Sequence, residues 1–191
     1  DILIVLEDNN GKIHRMGLES IAAAQKLANG MSLSMGALVM GANGDALAEE
    51  ASKYDVSEVL KINNEHLSSY SSDGYAETVK QVIEQENPTY VIFGHTYQVR
   101  DYAPKVSAKL MKPFLVDNVD VSTNEGNAVF TKQMFNAKLF SDVTPTGDGP
   151  YLISFQSAAF SSEKADLGSA AVRNCTVNLD VSMIRTESEE P

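Results

Sequence analysis

The side chains best placed to do chemistry gather in residues 93–110, and above all in Gly94-His95-Thr96-Tyr97-Gln98-Val99-Arg100-Asp101. An apolar run ends in Gly94, a short loop carries Thr96, and Arg100-Asp101 stands where a helix should open. Asp101 is the expected N-cap, because a carboxylate there accepts orphan backbone N–H groups and meets the positive helix end. Arg100 is then displayed at the strand tips, free to pair with an acid on a partner. His95 directly follows a strand, at the expected edge of an α/β ligand site. It has no partner at metal-ligand or catalytic spacing, so a structural histidine is the plainer reading. Tyr90, Tyr97 and Tyr102 surround this loop and could stack on a ring system, although partly buried amphipathic tyrosines are the favoured reading.

Other chemistries find less support. The strand ends at 7–11, 41–44 and 94–100 contain neither G-x-x-x-x-G-K-[ST] nor G-x-G-x-x-G, so none has the pattern that cradles phosphate. The glycines of 36–44 begin inside a strand and lack a lysine, which makes them a plain turn. No G-x-S-x-G elbow occurs. Cys175 sits in an alternating stretch whose one basic neighbour is Arg173, so an inert thiol is expected.

Composition bounds the partners. The 191 residues carry 15 Lys plus Arg against 26 Asp plus Glu, a net charge of −11. Such a chain repels phosphate backbones and anionic lipid surfaces, so no nucleic acid is an expected partner, and no apolar run approaches the roughly 18 residues that membrane insertion needs. One cysteine allows no intramolecular disulfide and no cysteine-built metal site, in keeping with a reducing compartment. The absence of an initiator Met points to a processed or trimmed start.

The elements that must hold these residues follow from periodicity. Residues 2–6, 35–40, 56–62 and 89–94 are short apolar runs, as in strands buried on both faces of a parallel sheet. Between them lie helical patterns: one over Leu18, Ile21, Ala24 and Ala28 with Gly30 as its C-cap, one at 45–53, and one over Ala76, Val79, Val82 and Ile83 capped by Ser72 or Asp73. A fourth helix spans 100–111, with Pro104 in its first turn. After Pro113, strands at 119–122, 128–134, 136–143, 151–156 and 172–181 follow without helices. The expected architecture is α/β, with a mainly parallel sheet and an antiparallel strand section. Residues 186–191 read as an acidic tail or the beginning of a linker.

The segment resembles the electron transfer flavoprotein alpha subunit family, whose members carry Gly-x-Thr-x-x-x-Arg-Asp-x-x-Pro-x-x-Ala at this point. Here it stands as Gly94, Thr96, Arg100, Asp101 and Pro104, then Val106-Ser107-Ala108. Lys105 replaces the usual Arg, keeping the charge and losing the bidentate fork. Residues 2–7, Asn10-Gly11-Lys12, Leu18-Glu19, Ala22-Ala23-Ala24, Phe135-Asn136-Ala137-Lys138 and Ser157-Ala158-Ala159-Phe160 extend the likeness to roughly residues 1–185.

The resemblance implies a three-layer fold of the adenine-nucleotide alpha-hydrolase-like type over 1–185. It implies a beta subunit as heterodimer partner, with AMP bound in that subunit. FAD would be held mostly by a C-terminal alpha domain absent from these residues. The whole protein would carry electrons from flavin dehydrogenases, as in fatty acid β-oxidation, to a membrane oxidoreductase or another acceptor. Its place would be the cytoplasm of a bacterium or the mitochondrial matrix of a eukaryote. Gly94, Thr96, Arg100, Asp101 and Lys105 become loop or interface positions, with no catalytic residue in this segment. ATP-using relatives of the fold carry a phosphate loop after the first strand. Here Glu7-Asp8-Asn9-Asn10-Gly11 puts acids there. The alternative is an adenine-nucleotide-binding stress-type protein of related fold, using the 41–44 and Gly94 loops; a small hydrolase or ligase built on His95 ranks behind both.

Overall fold

Residues 1–186 are described in a computed structural model of the chain. Ile2–Val5 (β1) has four buried apolar residues in succession, and strand alternation sends Ile2 and Ile4 to one layer and Leu3 and Val5 to the other. Met35–Met40 (β2), Glu58–Ile62 (β3) and Tyr90–Gly94 (β4) continue this core. One helical layer is Arg15–Met31 (α1) with Gly44–Ala51 (α2), packed through Ile21, Leu27 and Leu47. The opposite layer is Ser72–Glu86 (α3) with Tyr97–Leu110 (α4), packed through Val79, Val82 and Val106. Full burial of each such aliphatic or aromatic side chain contributes about 2 kcal/mol. The three layers match the expected α/β architecture.

The later strands are Phe114–Asn124 (β5), Asn127–Met134 (β6), Leu139–Val143 (β7), Tyr151–Phe155 (β8) and Ala171–Cys175 (β9). Among the described residues they complete one sheet in the order β7-β6-β5-β8-β4-β1-β2-β3-β9. Only the pairs β5–β6 and β6–β7 are antiparallel. β8 enters parallel between β4 and β5, and β9 lies parallel against β3. From β1 the chain moves outward to β2 and β3, then returns to place β4 on the other side of β1. The crevice between the carboxyl ends of β1 and β4 is therefore the topological switch point of the sheet.

Several local expectations are corrected. Gly30 lies inside α1 and does not cap it; Ser32 ends the helix at φ 55°. A Cβ on Gly30 would stand 2.7 Å from Cγ2 of the exposed Thr123 side chain, which marks where β5 passes close to α1. Ser71 caps α3, its hydroxyl accepting from the Gly74 N–H at 3.2 Å. Pro104 stands within α4, beyond its first turn, because the helix opens earlier than residue 100. The alternating stretch 176–181 is not strand; after Cys175 the chain leaves the sheet and lays Leu179 against the α3–α4 layer. Of the expected acidic tail, residues 187–191 lie outside the described residues.

Candidate functional site

At the switch point two helix openings meet. α1 follows β1 after the 6–14 loop, with His14 as cap, its Nδ1 accepting from the Met16 N–H at 3.2 Å. α4 begins just after β4, with Thr96 as cap, its hydroxyl oxygen accepting from the Val99 N–H at 3.1 Å. Thr96, not Asp101, is thus the N-cap, and it is 8% exposed. Gly94 lets the two openings close on each other: a Cβ there would lie 2.7 Å from Met16 Cβ and 3.0 Å from the Met16 carbonyl carbon. The requirement is for close approach to backbone, which no rotamer change could relieve.

The Thr96 hydroxyl donates to the Glu7 carboxylate, and this bond bridges the crevice from β4 to β1. Burial pushes the Glu7 carboxyl up from its ordinary value, opposed by the Thr96 hydrogen bond and by His14. Asp8 extends the acidic rim, accepting from Gly11 N–H and from Asn43 Nδ2, both at 2.7 Å. That second bond ties the 41–44 loop to the first one, and Gly41 (φ 104°) lies where a Cβ would meet the Tyr75 hydroxyl at 2.9 Å. A phosphate entering between β1 and β4 would meet carboxylates where nucleotide-binding sheets present N–H groups. The acids of this crevice therefore do not suit a phosphate placed between β1 and β4.

A cleft of 560 Å³ remains beside this bridge, lined by Glu7, His14, His95, Arg100, Asp117 and Ser157 among others. His95 Nδ1 lies 2.9 Å from the buried Ser154 hydroxyl and Nε2 is 4.0 Å from Asp117. Burial lowers the imidazole's affinity for a proton, opposed by Asp117. Ser154 also accepts from the Asp117 N–H at 3.1 Å, holding Asp117 at φ 61°. His95 thus links the end of β4 to β8 and β5 through Ser154 and Asp117. Asp117 and Ser154 escaped sequence reasoning, because β5 and β8 carry no motif and meet only through long-range pairing.

The remaining predicted residues separate into two groups. Arg100 is exposed, stacks over the Tyr97 ring at 5.4 Å and has no ion pair among the described residues; Tyr97 is 88% exposed. Asp101 turns away and accepts from the Tyr70 hydroxyl at 2.7 Å. Lys105 turns to α3, donating to Ser72 Oγ at 2.6 Å and Asp73 Oδ1 at 2.7 Å, and the Lys105 hydrogen bond holds the Asp73 carboxyl below its ordinary value. Gly94, Thr96 and Arg100 thus share the crevice, whereas Asp101 and Lys105 fasten α4 to its neighbours.

Glu19, read in the sequence only as part of the family likeness, has a structural role. Glu19 on α1 is 2% exposed and accepts from the Ala158 N–H at 2.8 Å, fixing Ala158 at φ 62°. The signal was present as a glutamate amid the apolar positions of α1, where a charge must find a buried partner.

Residues 2–180 match the electron transfer flavoprotein domain family. An electron transfer flavoprotein subunit alpha of Bacillus subtilis is 33% identical over 178 residues, covering 93% of this chain and 54% of that protein. Protein FixB of Clostridium saccharobutylicum is 22% identical over 97% of this chain and 56% of its own length. The acryloyl-CoA reductase electron transfer subunit beta of Anaerotignum propionicum is 26% identical over 65% of this chain and 35% of its own. The chain spans about half the length of the curated relatives it matches.

Proposed function

The chain belongs to the electron transfer flavoprotein family, and from that premise we propose that residues 1–185 act as the scaffold and docking domain of an alpha-type subunit, performing no bond chemistry themselves. The observation that carries this reading is the Thr96–Glu7 bridge across the switch point. It occupies, with the chain's own side chains, the place where this kind of sheet otherwise receives a nucleotide. What the first turn of α4 presents outward is Tyr97 and Arg100, an aromatic and a cation of the types that anchor protein interfaces. Arg100 is an exposed cation with no ion pair among the described residues, so it can pair with an acidic group on a partner.

In this reading the partner is a beta-type subunit carrying AMP. FAD is held mostly by alpha-subunit residues beyond these, and electrons pass from flavin dehydrogenases to a membrane oxidoreductase or other acceptor. The described helices include none long and apolar enough to cross a membrane. A single buried Cys175 suits a reducing compartment such as the bacterial cytoplasm.

Co-purification of the chain with a beta subunit from the same source tests the proposal. Stable association is expected, and no association, even for a full-length alpha chain, refutes it. Calorimetry with millimolar AMP separates the nucleotide-binding alternative: no heat is expected, and saturable heat would favour that alternative.

A further inference from the structure

The outer end of the antiparallel section departs from the rest of the surface. At the β6–β7 tip Met134, Phe135, Leu139 and Phe140 are 43%, 70%, 57% and 63% exposed. Isolated exposed apolar residues are ordinary, but a contiguous group on a small acidic protein marks a contact surface. The register sets Met134 opposite Leu139 and Gln133 opposite Phe140, so apolar side chains stand on both faces of the ribbon. No folding of the arm onto its own body could bury both. Beside them runs the free edge of β7, whose outward N–H and C=O groups have no strand partner among the described residues.

The charges along that edge name the occupant. Lys138 directly precedes β7 and Asp142 lies near its other end, with Phe140 midway between them. Residues 127–143 hold two lysines and one aspartate, a slightly positive arm on a chain of net charge −11. We infer that β7 is the seat of a second copy of this chain, paired antiparallel about a two-fold axis through Phe140. Lys138 then faces the partner's Asp142, and Phe140 packs against the partner's Phe140. Opposite charges and aromatic pairs directly across antiparallel strands are the stabilising combinations, and the two-fold axis forms both salt bridges at once. Such an isologous contact closes on itself, so the edge is consumed without growth into fibres. Two short strand edges make a small interface, below the standard of about 1,600 Å², so association in the micromolar range is expected. None of these residues lines the switch-point cleft, and the inference stands or falls apart from the proposed docking role.

Sedimentation velocity of the chain alone, from low micromolar to near millimolar concentration, tests it. A concentration-dependent passage from monomer to dimer is expected. Phe140→Asp should leave a monomer throughout with an unchanged circular dichroism spectrum, its side chain being exposed. Lys138→Glu should weaken the dimer about tenfold, and adding Asp142→Lys should restore it. A wild-type monomer at every concentration overturns the inference, including one that binds only a different protein through the arm. So does a dimer indifferent to Phe140→Asp, or a double variant no tighter than Lys138→Glu, which would reduce the two charges to guards of the edge.

Discussion

The switch-point crevice and the β6–β7 arm belong to one sheet and have opposite surfaces. In the crevice the Thr96 hydroxyl both caps α4 and bonds Glu7, while the Met16 backbone closes over Gly94. On the arm, four large apolar side chains and a strand edge face outward. The difference separates what a fold must satisfy internally from what it can leave to a partner. Parallel strands are buried on both faces and demand helices on either side. A two-stranded antiparallel ribbon closes its own inner ladder and can project free, with whatever its side chains attract still to be met.

The largest contrast is in stability. Phe93, fully buried at the centre of β4, should cost about 4 kcal/mol when changed to Ala. Phe140→Ala should stay within about 0.5 kcal/mol. Urea unfolding of the monomeric chain measures both, and equal losses would erase the distinction drawn here. Gly94→Ala comes next: the new methyl meets the Met16 backbone and should cost about 2–3 kcal/mol. Thr96→Val, which loses the cap and leaves Glu7 without its donor, should cost about 2 kcal/mol.

Smaller again is the pH response, in which two crevice groups act with opposite sign. The folded state lowers the His95 affinity for protons, so the unfolded chain binds more of them below the ordinary value of 6.5. Stability is therefore lost as pH falls through 6.5, and His95→Gln should remove that loss. Burial raises the Glu7 carboxyl, so the folded chain binds the proton first. Its penalty is present above the raised value and is relieved as pH falls toward 4.5; Glu7→Gln should abolish that relief. Denaturant midpoints against pH for both variants check the two signs, and parallel curves for wild type and variant would contradict either assignment. The same experiment on Phe140→Ala should give no change in the profile.

These contrasts also explain what could be read from the chain and what could not. β1, β2, β3 and β4 were legible because strands buried on both faces leave unbroken apolar runs. Val79, Val82 and Ile83 likewise revealed the buried face of α3. The parallel placement of β8 and β9 was not legible, because register between strands far apart in sequence leaves no local trace. At the site, the structure places Gly94 against the Met16 backbone and Arg100 on the adjoining cleft. The cap was misassigned because Thr96 and Asp101 are both good capping residues, and only the close approach of α1 to the β4 tip selects the first. The bridge from Thr96 to Glu7 joins residues 89 positions apart, and the resemblance supplied both ends without joining them. The arm's tip was visible as Phe135-Asn136-Ala137-Lys138, yet its exposure depends on the absence of a covering layer, which is a property of the assembled sheet.

Arg100 sits at the end of the stability series and at the centre of the functional one. Its side chain is exposed and stacks only on Tyr97, so Arg100→Ala should change folding stability by less than about 1 kcal/mol. The most direct test is calorimetric titration of the wild-type chain and of Arg100→Ala with a beta-type subunit. The docking account predicts saturable binding by the wild type, weakened about tenfold or more by the substitution with the thermal midpoint nearly unchanged. Equal affinity of the two chains would contradict it.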